Sequence, residues 1–268
     1  MLGRLRECSI RIIDIIGGEP TMHPDMILFL QEACSRGFRI NISSNGTNID
    51  MLEKILNMGN QITVGISIND KATFDRLRWF IKKHKPIVKT VFSPDRDSGM
   101  IQDIISLKPR KFYLIYRDAM VHEGLRETLP FHEFMGIVQK DINSSLVGTV
   151  SCSGFIPDAE NYPELSATRC PAGTTKLGVM PDGSVYPCNL FFGRGDFLLG
   201  NILTDPFDAI WGHRALAFFR TFTGNDCPKT VCTQHVICHG GCPAHGLIHF
   251  GDLSAPDPRC VRNGPRSP

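Results

Sequence analysis

Short apolar runs alternate with longer amphipathic ones through the first half of the chain, and this alternation constrains the fold more than any other feature. Five runs rich in Ile, Val and Phe read as strands: Ile10–Ile16, Phe38–Ser43, Ile62–Ile68, Ile87–Phe92 and Lys111–Tyr116. Each is closed by Gly, Asn, Asp, Ser or Pro. Helical spacing fills Pro24–Arg36, Ile49–Met58, Lys71–His84, Ser98–Leu107 and Pro130–Ile142. Asp50, Asp70 and Asp97 stand at or near helix starts, where a carboxylate meets unpaired backbone donors. Strand and helix at this pitch predict right-handed βαβ units and a parallel sheet, with ligands at the C-terminal strand ends.

After about residue 145 the character changes, which divides the chain into 1–145 and 146–268. Lys176–Cys188 reads as a hairpin around Pro181-Asp182-Gly183, and Asp205–Phe222 as one helix. Asp226–Pro268 reads as loop, dense in Cys, Gly, Pro and His, with too little apolar material to hold together without crosslinks or metal.

Composition narrows the function classes. An apolar share of 42% and a charged share of 21% belong to a soluble globular protein. A net charge of +2 gives no electrostatic case for nucleic acid or an anionic membrane. No apolar stretch approaches the roughly 18 residues that span a bilayer. The opening MLGRLRECSIRII lacks the order of an export signal, so the cytoplasm is the expected compartment.

Seven of the ten cysteines fall between Cys170 and Cys260. In a reducing compartment such clustering points to metal before disulfides. Cys170 is followed by Gly183 and Cys188, then by Cys227, Cys232, Cys238 and Cys242 at gaps of four, five and three residues, and finally by Cys260. Crowded thiolates repel one another unless a cation neutralises them, and soft sulfur selects zinc, copper(I) or iron–sulfur. Seven exceed one tetrahedral site, and the paired C-x-x-C of structural zinc is missing. The spacing favours iron–sulfur, with zinc and reduced core thiols as the other readings.

The second chemical motif is Ile12–Asp25, IIDIIGGEPTMHPD. A branched apolar run ends at Gly17-Gly18, places a carboxylate at Glu19, and leads through Pro20 into a helix. Glycines let main chain approach a ligand closely, and a carboxylate accepts from an ammonium. A tight strand-to-helix turn is the plainer reading. His23 fits a helix start better than catalysis.

Together these motifs resemble the radical SAM enzymes that carry a C-terminal SPASM extension for auxiliary clusters. GGEP resembles the motif after the second barrel strand. Ser43–Thr47 (SSNGT) and Gly65–Asp70 (GISIND) resemble the ends of the third and fourth, and Cys170 to Cys260 resembles the SPASM set. The resemblance implies an α/β fold: a partial (β/α)6 TIM-like barrel missing its first strand, followed by a small Cys-rich iron–sulfur domain. It implies that Gly17, Gly18, Glu19 and Pro20 receive the amino group of S-adenosylmethionine, and that Ser44, Asn45 and Ser67 face its ribose or carboxylate. Helix capping is the competing role for those three. It further implies up to two auxiliary [4Fe–4S] clusters. One would be held by Cys227, Cys232, Cys238 and Cys260. The other would take Cys170, Cys188 and Cys242, with Cys152 or an open iron site as the fourth position.

Two departures bear on activity. The family's catalytic cluster needs a Cys-x3-Cys-x2-Cys loop upstream of GGEP, and the chain has none; Cys8 stands alone and reads as a small buried residue. Without that cluster S-adenosylmethionine is not cleaved, so no catalytic residue is assigned and the chain is expected to be inactive alone. Leu2–Cys8 reads as a helix tail before a strand apolar enough to be covered on both faces, which suggests that the chain begins inside a domain. Secondly, Cys227-x4-Cys232 is two residues longer than the family's usual spacing. His235, His239, His245 and His249 lie among the cysteines, where solvated or cluster-supporting roles outweigh ligation. The expected function is thus that of an oxidoreductase family modifying peptides or small molecules, served by a flavodoxin- or ferredoxin-like reductant. The alternative is a non-radical iron–sulfur electron-transfer or binding protein, or a gene remnant.

Overall fold

Beta-branched runs closed by turn residues form the parallel ladder that their pattern predicts. The computed structural model describes residues 1–93, 98–142, 144–150, 170–225, 227–228 and 232–261. Asp97 and Cys152 lie outside the described residues. By contacts the chain divides into two units, one of Leu2–Ile115 with Ile142–Thr149, the other of Tyr116–Asp141 with Val150–Pro268 and Met1.

The first unit holds α1 (Leu2–Glu7), β1 (Ile12–Ile15), α2 (Met26–Ser35), β2 (Arg39–Ser44), α3 (Ile49–Leu56), β3 (Ile62–Ser67), α4 (Lys71–His84), β4 (Ile87–Val91), α5 (Ser98–Ser106), β5 (Lys111–Ile115) and β6 (Val147–Val150). The six strands lie side by side in chain order, and β1 to β5 pair in parallel. The strand at Val147–Val150 is short and carries Gly148, so its pattern was too weak to read; the preceding Leu146 carbonyl accepts from the Phe112 amide at 3.1 Å.

Period-2 alternation separates the sheet's faces. Ile40, Ile42, Val64, Ile66, Val88, Phe112 and Leu114 are at most 4% exposed, as are Leu30, Leu52, Ile55, Phe74, Leu77, Phe80 and Ile81 on the helices. Each such side chain contributes about 1.5–3 kcal/mol by leaving water. The other face is polar and partly open, carrying Asp14, Asn41, Ser43, Ser67, Lys89 and Tyr113. Register sets Asp14 opposite Asn41, Ser43 opposite Gly65, and Lys89 between Ser67 and Tyr113. β1 is an edge of this sheet, and none of Ile12, Ile13 and Ile15 is fully buried. Cys8, expected to be buried, is half-buried just past α1.

Capping follows the sequence in part. Asp70 caps α4 by accepting from the Thr73 amide (2.7 Å) and hydroxyl (2.8 Å). At α3 the cap is Asn48, which accepts from the Met51 amide at 3.1 Å, while Asp50 sits in the first turn.

The second unit contains α6 (Phe131–Ile137), prolonged by a π turn at Val138–Ile142, and a small antiparallel sheet of β7 (Gly178–Val179), β8 (Ser184–Tyr186) and β9 (Gly200–Asn201). Gly183 turns the β7–β8 hairpin at φ +89, and a Cβ there would lie 2.4 Å from Asn201 Oδ1. The single helix expected over Asp205–Phe222 is instead broken into α7 (Phe207–Trp211), a 3-10 turn at Arg214–Leu216, and α8 (Ala217–Thr221). Gly212 ends α7, and His213 Nδ1 accepts from the Ala215 amide to start the next turn. The expected terminal loop also contains two helices, α9 (His235–Cys238) and α10 (Pro243–Phe250). Pro243 opens α10 at its first position and Gly251 (φ +76) closes it.

Candidate functional site

Where β1 ends, Gly17 (φ +88) and Gly18 (φ +53) adopt left-handed conformations that only glycine takes cheaply. A Cβ on either would meet no atom within 4 Å, so the turn faces open space. Glu19 then caps the 3-10 turn Pro20–Met22, with Pro20 buried at its first position. Its Oε1 accepts from the Thr21 amide (3.1 Å), the Thr21 hydroxyl (2.6 Å) and the Ser44 hydroxyl (2.8 Å). Oε2 accepts from the Asn45 amide at 2.6 Å. Burial pushes this carboxyl up, but the bonds from Thr21, Asn45 and Ser44 outweigh it and hold Glu19 below its ordinary range. The carboxylate is thus charged and fixed, with acceptor capacity left on Oε2.

Ser44 and Asn45 both meet Glu19. The Ser44 hydroxyl is nearly fully buried; it donates to Glu19 and accepts from the Gly46 amide at 3.0 Å, so it orients the carboxylate. Asn45 binds Glu19 through its backbone, and its Oδ1 accepts from the Thr47 amide (2.8 Å) and hydroxyl (2.5 Å), leaving its side-chain nitrogen to offer. Ser67 stands half-buried at the end of β3, opposite Lys89, outside this network. His23 caps a turn, its Nδ1 accepting from the Asp25 amide at 3.2 Å.

The open face of the sheet adds groups that the sequence reading missed. Asn41 Nδ2 donates to Asp14 Oδ1 at 2.7 Å. Lys89 crosses β3 to donate to the Ser43 hydroxyl. It can do so because residue 65 is glycine: a Cβ there would lie 3.1 Å from Lys89 Cε and 3.4 Å from Nζ. Burial pulls the Lys89 amine down to about 8, with the Asp14 charge opposing. A glycine inside "TVGIS" beside a lysine inside "IVKTV" is the signal that was available.

In the second unit Cys227, Cys232, Cys238 and Cys260 line one cavity, with Tyr116, His235 and Arg259 among its other walls. About 500 Å³ of empty space lies there, part of it open to solvent. Among the described residues no three His, Cys, Asp or Glu side chains close on a single ion position. Four thiols lining one cavity are a soft donor set of the kind that holds zinc, copper(I) or an iron–sulfur cage. Cys170, Cys188 and Cys242 are buried and lie outside that lining. His245 Nε2 accepts from the Ala119 amide at 3.0 Å and His249 Nε2 meets the Ala119 carbonyl at 2.8 Å, so both are engaged in structure.

Two family models match the chain: the radical SAM superfamily over residues 1–91, and the SPASM iron–sulfur cluster-binding domain over 170–243. The mycofactocin maturase MftC of Mycobacterium ulcerans is 36% identical over 297 residues, covering 98% of this chain and 78% of the relative. The chain belongs to the radical SAM superfamily. Within this SPASM-bearing radical SAM protein, the matched segments contain GGEP and six of the seven clustered cysteines, with Cys260 beyond the second. The subtilosin biosynthesis protein AlbA of Bacillus subtilis is 25% identical, covering 87% of this chain and 57% of its own length. The structure of Streptococcus suis SuiB bound to precursor peptide SuiA superposes with a TM-score of 0.70 at 18% identity, over 94% of this chain and 65% of SuiB. The radical SAM chain thus spans about three-fifths of AlbA and of SuiB. Its mostly parallel α/β sheet is the fold that it shares with SuiB. Among the described residues no helix is long and apolar enough to cross a membrane.

Proposed function

We propose that this chain is the S-adenosylmethionine-binding and auxiliary-cluster part of a radical SAM/SPASM oxidoreductase that modifies a peptide. One observation carries the reading: Glu19 is fixed by four hydrogen bonds from the chain itself, with Oε2 still open beside an unfilled Gly17-Gly18 turn. That is a preformed receptor for an ammonium flanked by bulk. Glu19 would hold the amino group of S-adenosylmethionine, with the Gly17 and Gly18 backbone leaving it room. Thr21 and Ser44 keep the carboxylate ionised and aimed. Asn45 and Ser67, at the ends of β2 and β3, are the candidate contacts to ribose and carboxylate. Bound S-adenosylmethionine supplies the family's radical hydrogen abstraction.

The relatives support a peptide substrate: a mycofactocin maturase, a bacteriocin biosynthesis protein, and SuiB bound to precursor peptide SuiA. Residues 1–145, which carry the first five strands of the sheet, are read as a partial barrel, and 146–268, which supply the sixth, as the auxiliary-cluster domain. Cys227, Cys232, Cys238 and Cys260 would hold one [4Fe–4S] cluster, and Cys170, Cys188 and Cys242 the other. Electrons would come from a flavodoxin- or ferredoxin-like protein in the cytoplasm.

Anaerobic reconstitution tests this. About eight iron and eight sulfide per chain are expected, with broad absorbance near 400 nm. Calorimetry should detect S-adenosylmethionine binding that Glu19→Ala abolishes. Zinc without sulfide, or binding indifferent to Glu19, overturns the reading. The absence of Cys-x3-Cys-x2-Cys from these 268 residues favours a second reading for the chain on its own, a non-radical iron–sulfur protein. On either reading the isolated chain forms no 5′-deoxyadenosine, and its detection would refute that.

A further inference from the structure

We infer that the buried Asp257–Arg259 pair sets the reduction potential of the cluster in the four-cysteine cavity and positions two of the segments that carry its ligands. The inference rests on the cluster reading above.

Both side chains line that cavity, and Arg259 is only 1% exposed. The guanidinium grips Asp257 in a fork: Nε donates to Oδ1 at 2.9 Å and Nη2 to Oδ2 at 2.6 Å. Nη1 donates to the Arg117 carbonyl (3.0 Å) and, at 3.4 Å, to Asp118 Oδ1. The guanidinium lies 4.4 Å from the centre of the Tyr116 ring, itself a cavity wall. A fork this completely bonded cannot reorient when the charge on a neighbour changes.

The pair also ties the cysteine segments together. Asp257 Oδ2 accepts from the Cys242 amide at 3.0 Å. Its backbone amide donates to the Gly240 carbonyl, and its carbonyl accepts from the Cys260 amide, both at 3.0 Å. Gly241, at φ +106, admits the carboxylate: a Cβ there would lie 2.0 Å from Asp257 Cβ. The double glycine between Cys238 and Cys242 is thus shaped around Asp257.

A four-thiolate iron–sulfur cluster is negative and gains another electron on reduction, and nearby charge and burial set its potential. A fixed guanidinium on the wall favours the reduced form, and the Asp257 carboxylate opposes it. Both charged side chains are buried, so each acts over several ångströms with little screening. Removing one charge at a time should therefore move the potential in opposite directions.

The test is an EPR-monitored reductive titration of the full chain, reconstituted anaerobically with iron and sulfide. Asp257→Asn should raise the midpoint of one auxiliary cluster and Arg259→Gln lower it. Each change should shift the reduced-to-oxidised ratio at fixed potential about tenfold, equal to about 59 mV for a one-electron couple. Unchanged midpoints at full iron content overturn the inference. Should both neutral variants shed iron, Arg259→Lys decides. Iron retained at the parental midpoint supports a role for the charge; iron lost there overturns the claim on potential and leaves the fork a positioning role alone. An unmutated chain that takes up no iron or sulfide sinks the cluster reading itself, a separate and prior failure.

Discussion

On the function proposed above, the GGEP turn and the cysteine cavity would prepare for a ligand in opposite ways. At the turn, the chain satisfies its own binding group: four donors from Thr21, Ser44 and Asn45 fix the Glu19 carboxylate before any ligand arrives. In the cavity, the chain orders what surrounds the thiols. Asp257 and Arg259 tie down the backbone beside Cys242 and Cys260, while Cys227, Cys232, Cys238 and Cys260 face the space between them. A carboxylate can wait ionised among hydrogen-bond donors. Thiolates crowded into one site repel one another unless a metal neutralises them. The two regions should therefore respond differently to losing one member.

The largest effect belongs to the cavity. Cys238→Ser should remove one cluster, taking about four of the expected eight iron with it. Resistance to proteolysis over residues 227–260 should fall at the same time, because ligation supplies folding free energy. Iron analysis and limited proteolysis measure the two. The buried Asp257–Arg259 pair puts a bound on the proteolytic change. If the segment stays fully resistant with the iron gone, the chain rather than the cluster orders it, and the contrast between the regions disappears.

Glu19 comes next. Replacing it with Gln removes the charge but keeps the shape, and a hydrogen bond to a charged group contributes about 1.5–3 kcal/mol, so S-adenosylmethionine binding should weaken about 10- to 100-fold. Ser44→Ala deletes one of four bonds to a carboxylate that keeps three, so about fivefold is expected, near 1 kcal/mol. Calorimetry ranks them. If Ser44→Ala costs as much as Glu19→Gln, Ser44 touches the ligand and does not merely orient its receptor.

What could be read from the residues followed from their periodicity and their chemistry. Ile40, Ile42, Val64 and Ile66 announce buried strands by alternation, and Gly17-Gly18 announces the turn that ends β1, whether for a ligand or for the strand-to-helix connection alone. The cysteines revealed themselves by crowding. The missed features depend on partners distant in sequence. Asp257-Pro258-Arg259 reads as a polar turn, and nothing local says that it is buried against Arg117 and Tyr116. The break between Phe207–Trp211 and Ala217–Thr221 was written in Gly212, overridden by the apolar spacing on either side. Pro243 and Gly251 frame a helix that was passed over because its surroundings are so rich in loop-forming residues.

The smallest effect sharpens the contrast from within the sheet. Lys89 needs no metal and stays soluble in its surroundings only through Ser43, Asp14 and the gap at Gly65. Its amine is drawn from an ordinary value of 10.5 to about 8, equivalent to a cost of about 3 kcal/mol for the buried charge. Below pH 8 the amine is charged in both folded and unfolded chains, and the folded chain bears that cost in full. Between about 8 and 10.5 the folded chain has released the proton while the unfolded chain still holds it, so stability rises with pH. Above 10.5 both are neutral and the penalty is gone. Lys89→Met removes the charge along with the bond to Ser43, which offsets part of the gain. The variant should therefore be more stable than the parent by about 1 kcal/mol at pH 7, after subtracting about 1 kcal/mol for the lost hydrogen bond and about 1 kcal/mol for imperfect packing. That advantage should shrink through pH 8–10.5 and reverse to about 2 kcal/mol in the parent's favour above it, a total change equal to the penalty of about 3 kcal/mol. Urea unfolding of both proteins across this range gives the difference directly. A difference that does not vary with pH would mean that the Lys89 amine is not desolvated, and that its path over Gly65 leads to solvent.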